Sequence, residues 1–382
     1  MNSIPASVTE LLQELIRIPS VNPDGSTDSD AAGEKQCAEW VGEFLRHSGA
    51  EVQFEEVLPN RPNVIGHFPH PASQNRILFA PHTDTVSVSS MTIDPFGGEI
   101  RDGKVYGRGA SDTKGTMAAM LWALYELRET LPSLSHPISF VGLMGEEAGQ
   151  PGSKDFARRH AEEYEFAVVG EPTELDTVFA HKGCVWLRLT TSGVSCHGST
   201  PHLGDNAIRK MLPLLDSLLP RLEAKLSQFN DDTLGQATVS LGSLQGGTSP
   251  NIVPSSCSAI LDCRETPALA NAGGVATLVQ ECLEEMEGGD SVEIEILGDS
   301  FPLLTDPETD GIQRLQSIGS GLTTAPWFCD AGRLGEKGLA AVACGPGKIA
   351  QAHTKDEFLA IDDLEAGVEF YKKFLLTYLE EK

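Results

Sequence analysis

The 382-residue chain has no run of about twenty apolar residues, so no segment is expected to cross a bilayer as a helix. It has no Cys-x-x-Cys pair; its eight cysteines are scattered, which suits a reducing compartment. Positive charge is scarce, with 28 Lys and Arg against 55 Asp and Glu, a formal net charge of −27. Such a chain repels phosphate backbones and anionic lipid, so neither nucleic acid nor a membrane surface is an expected partner. The first ten residues lack a basic segment followed by an apolar run, so a cytoplasmic location without a secretory leader is expected. Low-complexity tracts and solenoid-period repeats are missing as well. Disorder is expected only at the termini and in the polar stretch from Pro23 to Gly33.

What remains is the pattern of a two-domain globular chain, 40% hydrophobic. Apolar spacing predicts helices over Val8 to Ile18, Cys37 to His47 and Thr116 to Thr130. Short apolar runs at Ile77 to Ala80, Ile138 to Met144 and Phe166 to Val169 read as buried strands. This rhythm argues for an α/β fold, a mixed and largely parallel sheet with helices on both faces. The middle of the chain differs. Val185 to Thr191, Asn206 to Lys225, Ala237 to Leu244, Ser256 to Arg264, Ala270 to Met286 and Val292 to Leu297 read β-α-β-β-α-β, a ferredoxin-like α+β module. The expected organisation is a catalytic domain over 1–182 and 299–382, interrupted by an inserted domain over 183–298.

Five segments carry candidate chemistry. His82 and Asp84 follow an apolar strand, where residues two apart point the same way and α/β proteins place ligands. Taken alone, His-x-Asp is better read as a hydrogen-bonded structural pair. Asp112 lies in a glycine-rich loop ahead of a helix, where it could cap the helix or bridge two cations with its two oxygens. A phosphate loop is disfavoured, because Lys114-Gly115-Thr116 reverses the order such a loop requires. Glu146 and Glu147 follow another apolar strand, so one can bind metal while its neighbour moves protons. Glu171 follows a third strand, and His353 comes after a Gly-Pro-Gly turn. Each segment alone fits an ordinary loop. Together they supply two imidazoles and three carboxylates, a thiolate-free set suited to catalytic zinc, manganese or cobalt, with one carboxylate left over as a base.

All five segments, in this order, resemble the zinc metallopeptidase family that includes acetylornithine deacetylase, succinyl-diaminopimelate desuccinylase, aminoacylase and glutamate carboxypeptidase. The resemblance implies a zinc-peptidase-like catalytic domain with two Zn2+ per subunit, Co2+ or Mn2+ being alternatives. It implies His82 and Glu171 on one ion, Glu147 and His353 on the other, and Asp112 bridging both, with Glu146 as general base and acid and Asp84 orienting His82. The inserted module is similar to the family's lid and dimerisation domain, which implies a homodimer. There Ser195-Cys196-His197-Gly198 implies that His197 stabilises the oxyanion. Asn251, Arg264 and Arg333 are the implied contacts to a substrate carboxylate. Gly170-Glu171-Pro172-Thr173, His181-Lys182-Gly183 and Gln351-Ala352-His353 are most similar to acetylornithine deacetylase, which implies hydrolysis of N-acetylornithine to ornithine and acetate, a step of arginine biosynthesis. Asp330-Ala331-Gly332-Arg333 instead resembles the desuccinylase and carboxypeptidase branches. A desuccinylase, carboxypeptidase or dipeptidase on the same scaffold is therefore the alternative, and the partner is a small N-acyl amino acid or a dipeptide. A metal-binding homologue without catalysis is a more remote one.

Overall fold

The computed structural model describes residues 4–24 and 33–379, so the polar stretch expected to be disordered lies largely outside the described residues. The chain forms two compact units. The first comprises Met1–Phe179, Leu304–Thr323 and Cys329–Lys382, and the second comprises Ala180–Leu303 and Thr324–Phe328.

The first unit is built on a mixed sheet whose centre is four parallel strands in the spatial order Ile138–Gly142, Arg76–Pro81, Tyr164–Gly170 and Ala340–Ala343. Phe79 pairs with Phe140 on one side and Val168 on the other. These strands are almost wholly buried, as their unbroken apolar runs require when helices cover both faces. On one face the helices Lys114–Leu127 and Ile361–Leu376 pack together, and Tyr371 and Phe374 lie 5.1 and 6.3 Å from the Phe79 ring. Helices Pro151–His160 and Asp330–Glu336 also pack against each other, joined by the Ser153 hydroxyl donating to Asp330 at 2.5 Å. An antiparallel hairpin, Glu51–Leu58 with Arg61–His67, extends the sheet beyond Ile138–Gly142. Sequence reasoning left this hairpin unassigned. Its outer strand is mostly exposed and half polar, so no continuous apolar run marks it.

Lys114 has a structural task in this unit. Its buried amine donates to the carbonyls of Leu15 and Ile18 at 2.9 and 2.7 Å, tying off the end of helix Val8–Ile16. Gly115 follows because a β-carbon there would meet the Ala110 carbonyl oxygen at 2.3 Å. The glycines of this loop therefore serve close packing rather than phosphate.

The second unit is a four-stranded antiparallel sheet in the order Thr238–Gly246, Ser256–Glu265, Gly183–Ser192, Val292–Ser300. Helices Ala207–Leu226 and Gly274–Glu284 pack together and share one core with its strands. In Ser256–Glu265 every second residue is buried, the period expected of a sheet covered on one face. The order and the β-α-β-β-α-β succession are those of a ferredoxin-like module. One expectation is corrected. Ala270 to Met286 is not a continuous helix but ends at Asn271 and restarts at Gly274. Gly273 and Gly274 have φ of +108° and +77°, which breaks the helical path.

Candidate metal centre

Parallel strands end on the same edge of a sheet, and here the expected residues follow directly. His82 comes just after Arg76–Pro81, Glu146 and Glu147 after Ile138–Gly142, and Glu171 after Tyr164–Gly170. His82 Nε2 lies 3.1 Å from Asp112 Oδ1, and His353 Nε2 lies 3.3 Å from Asp112 Oδ2 and 3.2 Å from Glu147 Oε2. Candidate ligand atoms of His82, Asp112 and Glu147 all lie within 4.8 Å of one another. One carboxylate thus stands between two imidazoles.

Supporting groups set these positions. His82 Nδ1 is 3.0 Å from the Asp84 carbonyl oxygen and 3.4 Å from its carboxylate, so the closer partner is the backbone. The buried Asp84 carboxylate also accepts the Glu146 amide at one oxygen and the Glu147 amide at the other, both at 3.0 Å, and the Asn22 side chain at 2.7 Å. It therefore anchors the Glu146-Glu147 turn as well as lying beside His82. Glu34 accepts the Gly145 amide at 3.0 Å and is bound by Arg61. Burial and the Asp84 charge push Glu34 up to about 7 against the opposing pull of Arg61.

Glu357 organises the glycine-rich loop. Its fully buried carboxylate accepts the amides of Gly109, Ser111 and Asp112 at 2.8–3.0 Å and the Arg108 guanidinium at 2.8 Å. Arg108 also donates to the Thr354 carbonyl at 3.2 Å, so the loops bearing Asp112 and His353 are joined. His353 has φ of +61°, a left-handed conformation unusual for a side-chain-bearing residue and commoner at functional sites.

The electrostatics fit cations. Burial raises Glu146 and Glu171 well above the usual carboxylate range, reinforced by neighbouring carboxylates, including Asp330 beside both and Asp112 beside Glu171. Burial and the Asp112 charge push Glu147 up to about 7. Burial also opposes the charge on Asp112, but hydrogen bonds from His353 and His82 outweigh it and hold its carboxyl far below the ordinary value. His353 is raised to about 10 by hydrogen bonds to Asp112 and Glu147. His82 is also raised, its hydrogen bonds to Asp112 and Asp84 overcoming burial. In the metal-free protein, protons on the imidazoles thus supply positive charge among crowded carboxylates. Glu147 Oε1 is buried with no hydrogen-bond partner, which suits an acceptor meant for a cation. Imidazole and carboxylate without thiolate form a donor set for zinc, manganese or cobalt.

The remaining expected residues lie outside this cluster of contacts. Arg333 is buried on helix Asp330–Glu336 and donates to Glu336 at 3.2 Å. In the second unit, the Arg264 guanidinium is engaged by Asp262 at 2.8 Å and lies 5.9 Å from the Phe328 ring centre. Asn251 is exposed and accepts the Ser249 hydroxyl at 2.5 Å. His197 is exposed, and its Nδ1 accepts the Ser199 amide at 3.1 Å. That bond places the proton of the neutral ring on Nε2. Sequence reasoning missed Glu34, Gln150, Asp330 and Glu357 as parts of the site. For Glu357 and Asp330 a signal existed, since Glu357 follows His353 closely and Asp330 opens the Asp330-Ala331-Gly332-Arg333 segment; Glu34 and Gln150 sit in contexts without a local pattern.

The profile of the family described as peptidase family M20/M25/M40 matches residues 78–377. An acetylornithine deacetylase of Vibrio vulnificus is 27% identical over 97% of this chain and 98% of its own length. A probable carboxypeptidase of Aspergillus clavatus is 28% identical over 94% of this chain and 86% of its own. Among solved structures, an M20 family metallo-carboxypeptidase from Sulfolobus solfataricus superposes with a TM-score of 0.77 at 19% identity, covering 97% of this chain and 99% of that one.

Proposed function

The chain belongs to the peptidase family M20/M25/M40, a family of metal-dependent hydrolases of amide bonds, and from that premise we propose that it is a two-zinc amidohydrolase that removes the acyl group from a small N-acyl amino acid, N-acetylornithine first among them. The observation that carries this reading is the Asp112 carboxylate standing 3.1 and 3.3 Å from two imidazoles, one oxygen to each. His82 and Glu171 would hold one ion, Glu147 and His353 the other, and Asp112 both. Bound divalent cations supply Lewis acidity toward a carbonyl oxygen and lower the proton affinity of water.

The protein's own groups do the rest. Glu146 takes the proton from the attacking water and returns it to the departing amine nitrogen, a role suited by a carboxyl whose proton affinity burial has raised. His197 donates from Nε2 to the carbonyl oxygen as it gains charge. Arg264, Asn251 and Arg333 are the proposed contacts to the substrate carboxylate. His197→Ala is expected to lower turnover by about 10²-fold with unchanged metal content. Metal analysis alongside kinetics checks this, and loss of metal would make His197 a ligand instead.

A dipeptidase or carboxypeptidase activity is the second reading, favoured by the carboxypeptidase relative. Zinc-loaded protein assayed against N-acetylornithine, N-succinyl-diaminopimelate, other N-acyl amino acids and dipeptides separates the two. Faster cleavage of dipeptides would overturn the deacylase reading. We also place the protein in the cytoplasm as a homodimer joined through the second unit. Eight free thiols support the location. The exposed edge strand Thr238–Gly246, with Leu241 and Leu244 at the surface, supports the dimer.

A further inference from the structure

Three features meet at Gln150. Its φ is +58°, in the left-handed region, which a residue with a β-carbon adopts only at a steric cost. It is only 1% exposed. Its backbone is held from both sides: the amide donates to the Gly145 carbonyl at 3.0 Å, and its carbonyl accepts the Lys154 amide at 3.1 Å. Pro151 then opens the helix Pro151–His160 with its fixed backbone angle. This strained, over-determined backbone turns the carboxamide back toward the preceding turn, where Nε2 donates to Glu146 Oε1 at 3.3 Å.

Glu146 needs such a hold. Its backbone amide is fixed by Asp84, but three side-chain torsions separate that backbone from the carboxylate. A group that must exchange a proton with a particular atom gains rate from being held in one orientation. The Gly145 amide is already secured by Glu34 and the Glu147 amide by Asp84, so the backbone of the turn does not require the Gln150 carboxamide.

We propose that Gln150 is a positioning residue for the reaction, its carboxamide holding the Glu146 carboxylate in the orientation from which it exchanges the proton. This rests on the reading of Glu146 as the proton carrier. The test uses full-length, zinc-loaded protein and four variants, two at Gln150, Glu146→Gln, and a double variant. Gln150→Met keeps the length and removes the donor. Gln150→Gly removes the donor and also relieves the left-handed strain, which offsets part of the cost of deleting a buried side chain, and its melting temperature is measured alongside. Both are expected to lower kcat about tenfold or more, with KM within about twofold and zinc content unchanged. Adding Gln150→Met to Glu146→Gln is expected to cause no further loss, because the two residues act as one unit. Normal kcat in Gln150→Gly, a change confined to KM, or a full additional loss in the double variant would overturn the inference while leaving Glu146 its role. Normal turnover in Glu146→Gln alone would instead remove the reading on which the inference rests.

Discussion

Glu146→Gln is expected to keep both metal ions and to lose roughly three orders of magnitude in turnover. The substitution is nearly isosteric, and the backbone contacts that fix the turn, from the Gly145, Glu146 and Glu147 amides to Glu34 and Asp84, do not involve the Glu146 side chain. Fold and ligand positions should therefore survive. What disappears is the capacity to accept and return a proton, an effect that commonly amounts to 10²–10⁴-fold. Elemental analysis of the purified variant, with steady-state rates on the best substrate of the panel, checks both halves. Retained turnover would show that another group carries the proton; lost metal would show that Glu146 is a ligand.

Removing the metal should abolish activity and make stability fall with rising pH. In the metal-free protein, burial and the Asp112 charge push Glu147 up to about 7 from the ordinary 4.5. The folded state then binds that proton more tightly than the unfolded state does. The resulting stabilisation is fully present below about pH 4.5 and is lost as pH rises through about 7. Glu34, also pushed up to about 7 by burial and Asp84, acts in the same direction. His353, held at about 10 by Asp112 and Glu147 against an ordinary 6.5, adds to the same fall from about pH 6.5 upward. Chelator-treated protein should therefore melt at least about 5 °C lower at pH 8 than at pH 5.5. Saturating zinc should remove most of that slope, since a bound cation replaces the proton as the partner of Glu147. Scanning calorimetry of both forms across this range is the check; parallel pH profiles would argue against a cation at Glu147.

Three of the four parallel strands were legible because they are largely apolar runs, and the carboxylates and imidazole that follow them stand at strand ends for the same reason; the short, alanine-rich Ala340–Ala343 was not singled out. The ferredoxin-like module was legible through its alternation and amphipathic helices. The edge hairpin was not, because the alternation in Glu51–Leu58 lasts only from Glu51 to Glu55 before Glu56 interrupts it, too short a signal to stand out. The break at Gly273 was passed over because apolar spacing continues across it. In the site, sequence reasoning singled out side chains presumed to face one another. It missed those that act through backbone amides, Glu34 and Glu357, because a carboxylate receiving main-chain N–H groups imposes no residue type on its partners. Gln150 stayed hidden for a different reason: its left-handed backbone, which sends the side chain backwards, is not a conformation that a glutamine announces.

The clasp made by Glu357 also bears on synthesis of the protein. Its partners Ser111 and Asp112 precede it by 246 and 245 residues, with the whole second unit encoded between them. At a translation rate of roughly 5–20 residues per second, the glycine-rich loop emerges from the ribosome about 10–50 s before the carboxylate that organises it. A nascent chain halted within the inserted unit would carry His82, Asp112, Glu147 and Glu171 but neither His353 nor the clasp. If His353 and Glu357 have the proposed roles, hydrolytic competence waits for the segment that carries them.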